Sequence, residues 1–203
     1  MEKSQKTVQS EHTRARIIKE STRLFARKGY FATSIADIAT AVQLTKGALY
    51  HHFESKEALF FAVLENIRRT WEGTVARRVG ESENAIEALS ALIDGQIHLF
   101  EENEYFCLAL NSMMMEMEGV KPEFHSAMEA IYVEFVEFIT EMLNNGQRTR
   151  HIRADIDPRL LASALVGTLR GAGCSRAMFE RMDANFVAMM NTLKKVIMSG
   201  VGA

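Results

Sequence analysis

The 203-residue sequence is poor in several features that mark other classes of protein. It has only two prolines, so few positions interrupt a helix. No apolar run approaches the roughly twenty residues that a membrane-spanning helix needs. The polar N-terminus lacks a secretory signal, so we expect a cytoplasmic protein. The only cysteines, Cys107 and Cys174, show no metal-binding spacing. They predict two reduced thiols, with a redox-sensing pair as the alternative.

The net charge of −2 does not by itself indicate a nucleic-acid partner. The distribution of charge along the chain does indicate one. Residues 1–60 carry ten Lys or Arg against six Asp or Glu, whereas residues 61–203 carry fourteen against twenty. A basic N-terminal part and an acidic remainder favour a protein that faces DNA at one end. With 47% hydrophobic residues the chain can form one large domain or two small ones.

A helix-turn-helix is predicted between residues 33 and 56. Its two short segments place apolar residues three or four apart, the spacing of one helix face. Ser34 and Thr45 can each cap one segment, because a hydroxyl accepts from a free backbone N–H in the first turn. Helix, short turn and helix is the shape that places a second helix in a DNA major groove. The reading motif is expected at residues 34–53.

The second of these helices carries residue types that suit DNA contact. Lys46 can reach a phosphate or a guanine edge, and Tyr50 offers a hydroxyl and a ring edge. Gly47 removes a side chain where the helix must approach the duplex, and Lys56 opens the next helix beside a favourable phosphate position. The expected DNA contacts are Ser34, Thr45, Lys46, Gly47, Ala48, Tyr50, His51, His52 and Lys56. The alternative is a helical hairpin that serves packing alone.

The run T-S-I-x-D-I-A followed by T-K-G-A-L-Y-H-H-F-x-S-K-E-A-L, from Thr33 to Leu59, resembles TetR/AcrR-type transcriptional regulators. The earlier run R-I-I-x-x-S-x-x-L-F-x-x-K-G-Y, from Arg16, is similar to that family's first helix. The resemblance covers about the first sixty residues and implies a homodimer that binds a palindromic operator. It also implies a small-molecule effector, no cofactor, and repression as the common mode. Two departures are Gln43, where the family usually has Gly, and Ala36, where it often has a long polar residue.

The whole pattern predicts an all-α protein of about nine helices. We expect a three-helix DNA-binding domain in residues 1–55 and a helical ligand-binding and dimerisation domain in residues 56–203. Residues 1–10 are expected to form an irregular arm. One long helix from Ser55 to Val79 would touch both domains and is the candidate for transmitting a signal between them.

The resemblance also implies a ligand pocket among the middle helices, where methionines and aromatic residues suit varied apolar ligands. The expected lining is Trp71, Phe100, Phe106, Met113, Met114, Met117, Phe124, Met128 and Tyr132. The alternative is an ordinary core, since apolar residues at helical spacing usually pack internally. A cationic ligand and a lipid-like or acyl ligand both remain open.

The last two helices are expected to pair with their copies in a second chain. Small residues on the first of them allow close helix approach, and two-fold dimers commonly read palindromic DNA. The expected interface residues are Leu161, Leu165, Thr168, Leu169, Ala172, Phe186, Met190, Leu193 and Ile197. The alternative is that both helices are buried within one chain.

Other functional classes have weaker support. No Gly-rich phosphate loop, G-x-S-x-G or H-E-x-x-H is present, so we expect no enzyme, no cofactor and no resident metal. The pairs His98–Glu102 and His125–Glu129 have the i, i+4 spacing of two metal ligands, which leaves metal sensing as an alternative. A constitutive or architectural DNA-binding protein without a ligand is the main competing hypothesis.

Overall fold

The computed structural model describes residues 5–178 and 186–202, with side chains omitted at residues 176–178. These residues form α-helices with no named strand, which confirms the all-α prediction. The helices are α1 (Gln5–Lys28), α2 (Ile35–Ala41), α3 (Lys46–His52), α4 (Lys56–Trp71), α5 (Arg77–Gly80), α6 (Ala85–Glu102), α7 (Tyr105–Met117), α8 (Pro122–Arg148), α9 (Pro158–Met178) and α10 (Phe186–Val201). None of these helices combines the length and apolar character that a membrane crossing requires.

Helices α1 to α3 form the N-terminal unit. Helix α1 already begins at Gln5, so the expected irregular arm is wrong for residues 5–10. Gly29 follows the last turn with φ of +84°, the left-handed conformation that glycine adopts without a steric penalty. The small core of this unit continues into α4 and contains Phe25, Tyr30, Ile38, Leu49, Phe53 and Phe60.

The predicted long helix exists but is not uniform. Helix α4 passes at Trp71 into a π-helical turn, Glu72–Ala76, and then into α5, so helical backbone runs from Lys56 to Gly80. Helix α4 packs on α1 in the N-terminal unit, and Trp71 at its other end stacks on Phe135 of α8. This arrangement agrees with the expected helix that touches both parts of the chain.

The C-terminal helices α6 to α10 pack as a bundle. Lys194 on α10 donates to Asp94 on α6 at 2.6 Å, and Arg159 on α9 lies 3.5 Å from Glu137 on α8. Helix α7 occupies a special place, because one side packs extensively on α1 while it also contacts α8 and α9. Both α4 and α7 therefore connect the N-terminal unit with the bundle.

Candidate nucleic-acid interface and ligand cavity

Local hydrogen bonds hold α2 and α3 in the predicted places. The Ser34 hydroxyl accepts from the Asp37 backbone N–H at 3.1 Å, and the Asp37 carboxylate accepts from the Ser34 N–H at 2.8 Å. The Ser34 hydroxyl also donates to the Asp37 carboxylate at 2.6 Å. This bond, the bond from the Ser34 N–H and the contact with Lys28 lower the pKa of Asp37 to about 2. Thr45 caps α3 by accepting from the Ala48 N–H at 3.1 Å. Both predicted caps are thus confirmed.

The turn between the two helices accommodates the non-glycine residue noted in the sequence. Gln43 has φ of +55°, and its N–H donates to the Thr40 carbonyl at 3.1 Å. A long polar residue tolerates this conformation at a modest cost in free energy. The departure from glycine therefore leaves the geometry of the turn intact.

The outer face of α3 is open to solvent. Lys46, Gly47 and His51 are exposed and Tyr50 is 49% exposed, whereas Leu49 on the opposite face is fully buried. Ala48 and His52 are partly buried at the edges. Because no acidic residue lies between Thr45 and Phe53, this face can approach a polyanion without charge repulsion from its own side chains.

Gly47 has no role within the protein's own packing. An added Cβ would meet only the Thr45 hydroxyl oxygen, at 4.0 Å, and the backbone φ is not positive. The chain could therefore carry alanine here without a clash. A glycine that the fold does not need is consistent with close approach of an external partner.

Two arginines on α1 donate hydrogen bonds to backbone carbonyls of the helix-turn-helix. Arg14 donates to the His52 carbonyl at 3.2 Å and lies over the Phe53 ring at 4.2 Å. Arg16 donates to the Val42 carbonyl at 2.8 Å. Burial, followed by the charges of His51 and Arg14, lowers the pKa of His52. The sequence did not predict these contacts, because they join residues 26 or more positions apart.

Lys56 makes contacts within the chain that the sequence did not predict. Its ammonium lies 4.2 Å from the centre of the Tyr30 ring and 3.5 Å from the Phe31 carbonyl oxygen. Burial lowers its pKa. The phosphate contact expected of Lys56 stays a prediction.

A cavity of about 50 Å³ lies among α4, α6, α7, α8 and α9. Three of the predicted lining residues, Trp71, Phe100 and Phe106, contribute to its wall. The indole N–H of Trp71 donates to the Gln96 side chain at 3.2 Å, and its ring stacks on Phe135 at 4.3 Å. The walls are otherwise mostly aliphatic, so the cavity suits an apolar group.

A second, smaller cavity of about 20 Å³ adjoins the first. Met114, Met128 and Tyr132 line it, as predicted, and it shares Leu110, Phe135 and Arg170 with the larger one. Gln96 and Arg170, the polar groups in these walls, were not predicted. Arg170 lies 5.6 Å from the Tyr132 ring centre, and no carboxylate pairs with it among the residues that the structure describes.

Met113, Met117 and Phe124 were assigned to the ligand pocket and instead line neither cavity. Met113 and Met117 are fully buried on the face of α7 that continues the core toward α1. Phe124 stacks on Phe60 at 4.2 Å beneath α4. Helix α7 is apolar on more than one side, so its periodicity could not tell which side faces a cavity.

The two parts of the chain meet at the turn after α1. The Glu116 carboxylate on α7 accepts from the Tyr30 N–H at 2.6 Å and from the Phe31 N–H at 3.2 Å. Arg27 at the end of α1 donates to the Tyr105 hydroxyl at 2.9 Å. Helix α7 is thereby attached at both ends to the N-terminal unit.

The expected dimer residues divide into two groups. Leu165, Leu169, Phe186 and Met190 are buried within their own chain, so their assignment to a contact surface with a second chain is corrected. Leu161, Ala172, Leu193 and Ile197 are half-buried, and Thr168 is exposed. The outward face of α9 carries Leu160, Ala164, Gly167, Thr168 and Gly171, and that of α10 carries Val187 and Val196.

The pairs His98–Glu102 and His125–Glu129 were considered as metal ligands because of their spacing. Within the described residues, no three His, Cys, Asp or Glu side chains come together as a metal site would require. His98 is exposed and His125 is partly buried.

Two protein-family models match this chain, one in its N-terminal part and one in its C-terminal part. Residues 17–63 match the family described as bacterial regulatory proteins, tetR family, and residues 85–193 match a tetracyclin repressor-like C-terminal domain. The transcriptional repressor DhaR of Mycobacterium sp. (strain GP1) is 29% identical over 167 residues, or 78% of this chain and 79% of that protein.

Solved structures have the same fold. A γ-butyrolactone receptor, described as ArpA-like, is 28% identical with a TM-score of 0.74, covering 96% of this chain and 90% of that one. A TetR transcriptional regulator from Chloroflexus aurantiacus J-10-FL has a TM-score of 0.79 at 24% identity, covering 96% and 98%. This second likeness concerns the fold alone.

Proposed function

The chain belongs to the TetR family of bacterial regulatory proteins, and from that premise we propose that it is a repressor released from a palindromic operator by a small apolar ligand. The observation that carries the DNA-binding part is α3, which is capped by Thr45, exposed along Tyr50 and His51, and free of acidic residues. Gly47 adds support, because nothing inside the protein requires it.

Two copies of α3 are needed to read a palindrome. The outward faces of α9 and α10 supply an unpaired surface of small and aliphatic residues, with Leu160 70% exposed. Helices can approach closely across Ala164, Gly167 and Gly171, since an added Cβ at either glycine meets nothing in its own chain. We therefore place the two-fold interface on these faces.

The size of the cavity suggests how a ligand would act. A cavity of about 50 Å³ is smaller than the roughly 300 Å³ or more of ordinary ligand sites. Binding must therefore displace walls that include Trp71 on α4 and Leu110 on α7. Because both helices continue to the N-terminal unit, this displacement would move the two copies of α3 relative to each other. DNA affinity falls when their spacing no longer fits the half-sites.

Arg170 favours one class of ligand. Its guanidinium is a positive group in a wall that is otherwise mainly apolar, and it hydrogen-bonds to Asn111. An apolar molecule with a carboxylate or carbonyl oxygen can satisfy both features, whereas a cationic ligand would meet a like charge. The relative described as a γ-butyrolactone receptor is consistent with such a ligand. We therefore favour acyl-type compounds over cationic ones.

The proposal can be tested with duplexes selected from a random library for binding to the full chain. Tyr50→Ala and His51→Ala are expected to weaken specific binding by about tenfold or more, because each removes a contact to a base or phosphate. His151→Ala, which removes another exposed histidine far along the chain, is the matched control. Equal specific affinities in all three variants would refute the assigned reading face.

The proposed release of DNA by a ligand needs a second experiment. Trp71 fluorescence is titrated with an aliphatic carboxylic acid and an amine of the same chain length, and bound DNA is followed in parallel. The acid is expected to change the fluorescence and release DNA, and Arg170→Met is expected to weaken its binding. If neither compound affects DNA bound specifically by the wild type, the ligand-free DNA-binding protein becomes the better explanation.

A further inference from the structure

Two buried thiols meet beside the larger cavity. The Sγ atoms of Cys107 on α7 and Cys174 on α9 lie 2.9 Å apart, although the residues are 67 positions apart in sequence. Both cysteines are free, and they are only 4% and 8% exposed. A disulfide bond of about 2.05 Å would need the sulfur atoms to move together by roughly 0.9 Å, the difference between the two distances.

The approach of α9 to α6 depends on a small neighbour of Cys174. A Cβ on Gly173 would lie 2.6 Å from the Phe100 ring on α6, so only glycine lets the two helices pack this closely. The next residue, Cys174, contacts Cys107 on α7. The proximity of the thiols is therefore built into the packing of the bundle.

The surroundings of the two sulfur atoms are unequal. Asn111 donates its amide N–H to Cys174 Sγ at 2.6 Å. The single thiol hydrogen of Cys107 can be donated either to the Arg170 carbonyl at 3.0 Å or to Cys174 Sγ at 2.9 Å. The hydrogen bond with Cys107, then Asn111 and the Arg170 charge, lower the pKa of Cys174 against the opposing effect of burial. The contact with Cys174 and burial raise the pKa of Cys107. Cys174 is thus the better nucleophile, and Cys107 keeps its proton.

Cys107 forms part of the cavity wall, so a small oxidant inside the cavity would lie beside this pair. The cavity is large enough for a molecule of about the size of water. We propose that Cys107 and Cys174 are a peroxide-reactive dithiol that closes to an intramolecular disulfide.

The chemistry balances with hydrogen peroxide as the oxidant. The Cys174 thiolate attacks one peroxide oxygen, so that an S–O bond forms and the O–O bond breaks. The leaving hydroxide takes up the proton that Cys174 had released, giving one water and a sulfenic acid on Cys174. Cys107 sulfur then attacks Cys174 sulfur, and the S–O bond breaks. The departing hydroxide takes the Cys107 proton as a second water. Two thiols lose two electrons in total, and the peroxide is reduced.

The disulfide would join α7 to α9, which are two walls of the proposed ligand site. Holding these walls together opposes the expansion that a ligand needs, so the oxidised protein is expected to bind ligand less tightly. This consequence rests on the proposed function, whereas the formation of the disulfide does not.

The full-length protein is first treated with hydrogen peroxide and examined by intact mass and by alkylation. We expect the loss of two hydrogens, about 2 Da, protection of both cysteines, and reversal by dithiothreitol. Cys107→Ser is expected to stop at a sulfenic acid on Cys174 that dimedone traps, and Cys174→Ser to react far more slowly. Because two variants are tested, the experiment still decides the proposal if one of them fails to fold. Thiols that stay alkylatable, or disulfides that join separate chains, would overturn the proposal.

The consequence for the cavity is measured with the apolar anionic dye 1-anilinonaphthalene-8-sulfonate, using energy transfer from Trp71. Oxidation is expected to weaken dye binding by about fivefold or more in the wild type and to leave Cys107→Ser unchanged. Equal binding by the reduced and oxidised wild type would refute the proposed link to ligand uptake. If the reduced protein takes up no dye at all, the ligand cavity itself is in error, while the mass and alkylation results still decide the dithiol.

Discussion

Glu116 on α7 joins the C-terminal bundle to the turn after α1, and Glu116→Ala is expected to loosen this contact. One oxygen of its carboxylate accepts two backbone N–H groups, from Tyr30 and Phe31. Both donors lie just beyond the end of α1, and neither makes another hydrogen bond within the described part of the chain. Without the carboxylate, the two backbone N–H groups must donate to water or remain without an acceptor.

The magnitude follows from the two distances. The bond from the Tyr30 N–H, at 2.6 Å, is short and charge-assisted, a class that contributes about 1.5–3 kcal/mol. The bond from the Phe31 N–H, at 3.2 Å, is long and exposed, so water can replace it for about 0.5 kcal/mol. Glu116→Ala is thus expected to lower the free energy of unfolding by about 2 kcal/mol, and Glu116→Gln by about 1 kcal/mol because an acceptor remains.

Urea unfolding followed by circular dichroism measures the loss at a fixed protein concentration. Amide hydrogen exchange at Tyr30 and Phe31 shows whether the loss is located at the contact. Glu118→Ala is the matched control, since Glu118 is an exposed carboxylate that follows the last turn of the same helix. If Glu116→Ala destabilises no more than Glu118→Ala, and the two amides exchange as in the wild type, the assigned joint is wrong.

Two further predictions concern the N-terminal unit. The pKa of Asp37 is lowered to about 2 from an ordinary value of 3.8, so its stabilisation is present above about pH 4 and is lost as the pH falls to about 2. In urea unfolding, the stability difference between wild type and Asp37→Asn is expected to shrink over that range; a constant difference would contradict it. The Tyr30 hydroxyl is buried with no hydrogen-bond partner among the described residues, so Tyr30→Phe is expected to leave stability unchanged or raise it by about 1 kcal/mol. A clear loss of stability would reveal a partner for this hydroxyl.

The helix-turn-helix was predictable because its determinants are local. Ser34 and Thr45 cap the helices that start immediately after them, and each hydrogen bond spans three residues. The positive φ of Gln43 also follows from its place in a tight turn. Apolar spacing in short helices with one buried face identifies that face without ambiguity. The same reasoning failed for residues 5–10, where a polar segment belongs to a helix whose later turns are packed.

The cavity was only partly predictable because α7 and α9 are apolar on several sides. Met113 and Met114 are neighbours of the same type, yet the first is in the core toward α1 and the second lines a cavity. Leu165 and Thr168 were both expected in the dimer interface, but only Thr168 lies on the surface. Periodicity reports that a helix has apolar faces, and it does not report which neighbour covers each face.

The sequence by itself determined the class of protein, the reading motif and the helices, since caps, turn residues and periodicity act over a few positions. Tertiary structure alone decided that Glu116 meets Tyr30, that Arg170 reaches the cavity and that Cys107 meets Cys174. The contacts of Glu116 with Tyr30 and of Cys107 with Cys174 join residues more than sixty positions apart. Such contacts depend on how whole helices pack against one another, and no local pattern encodes that packing.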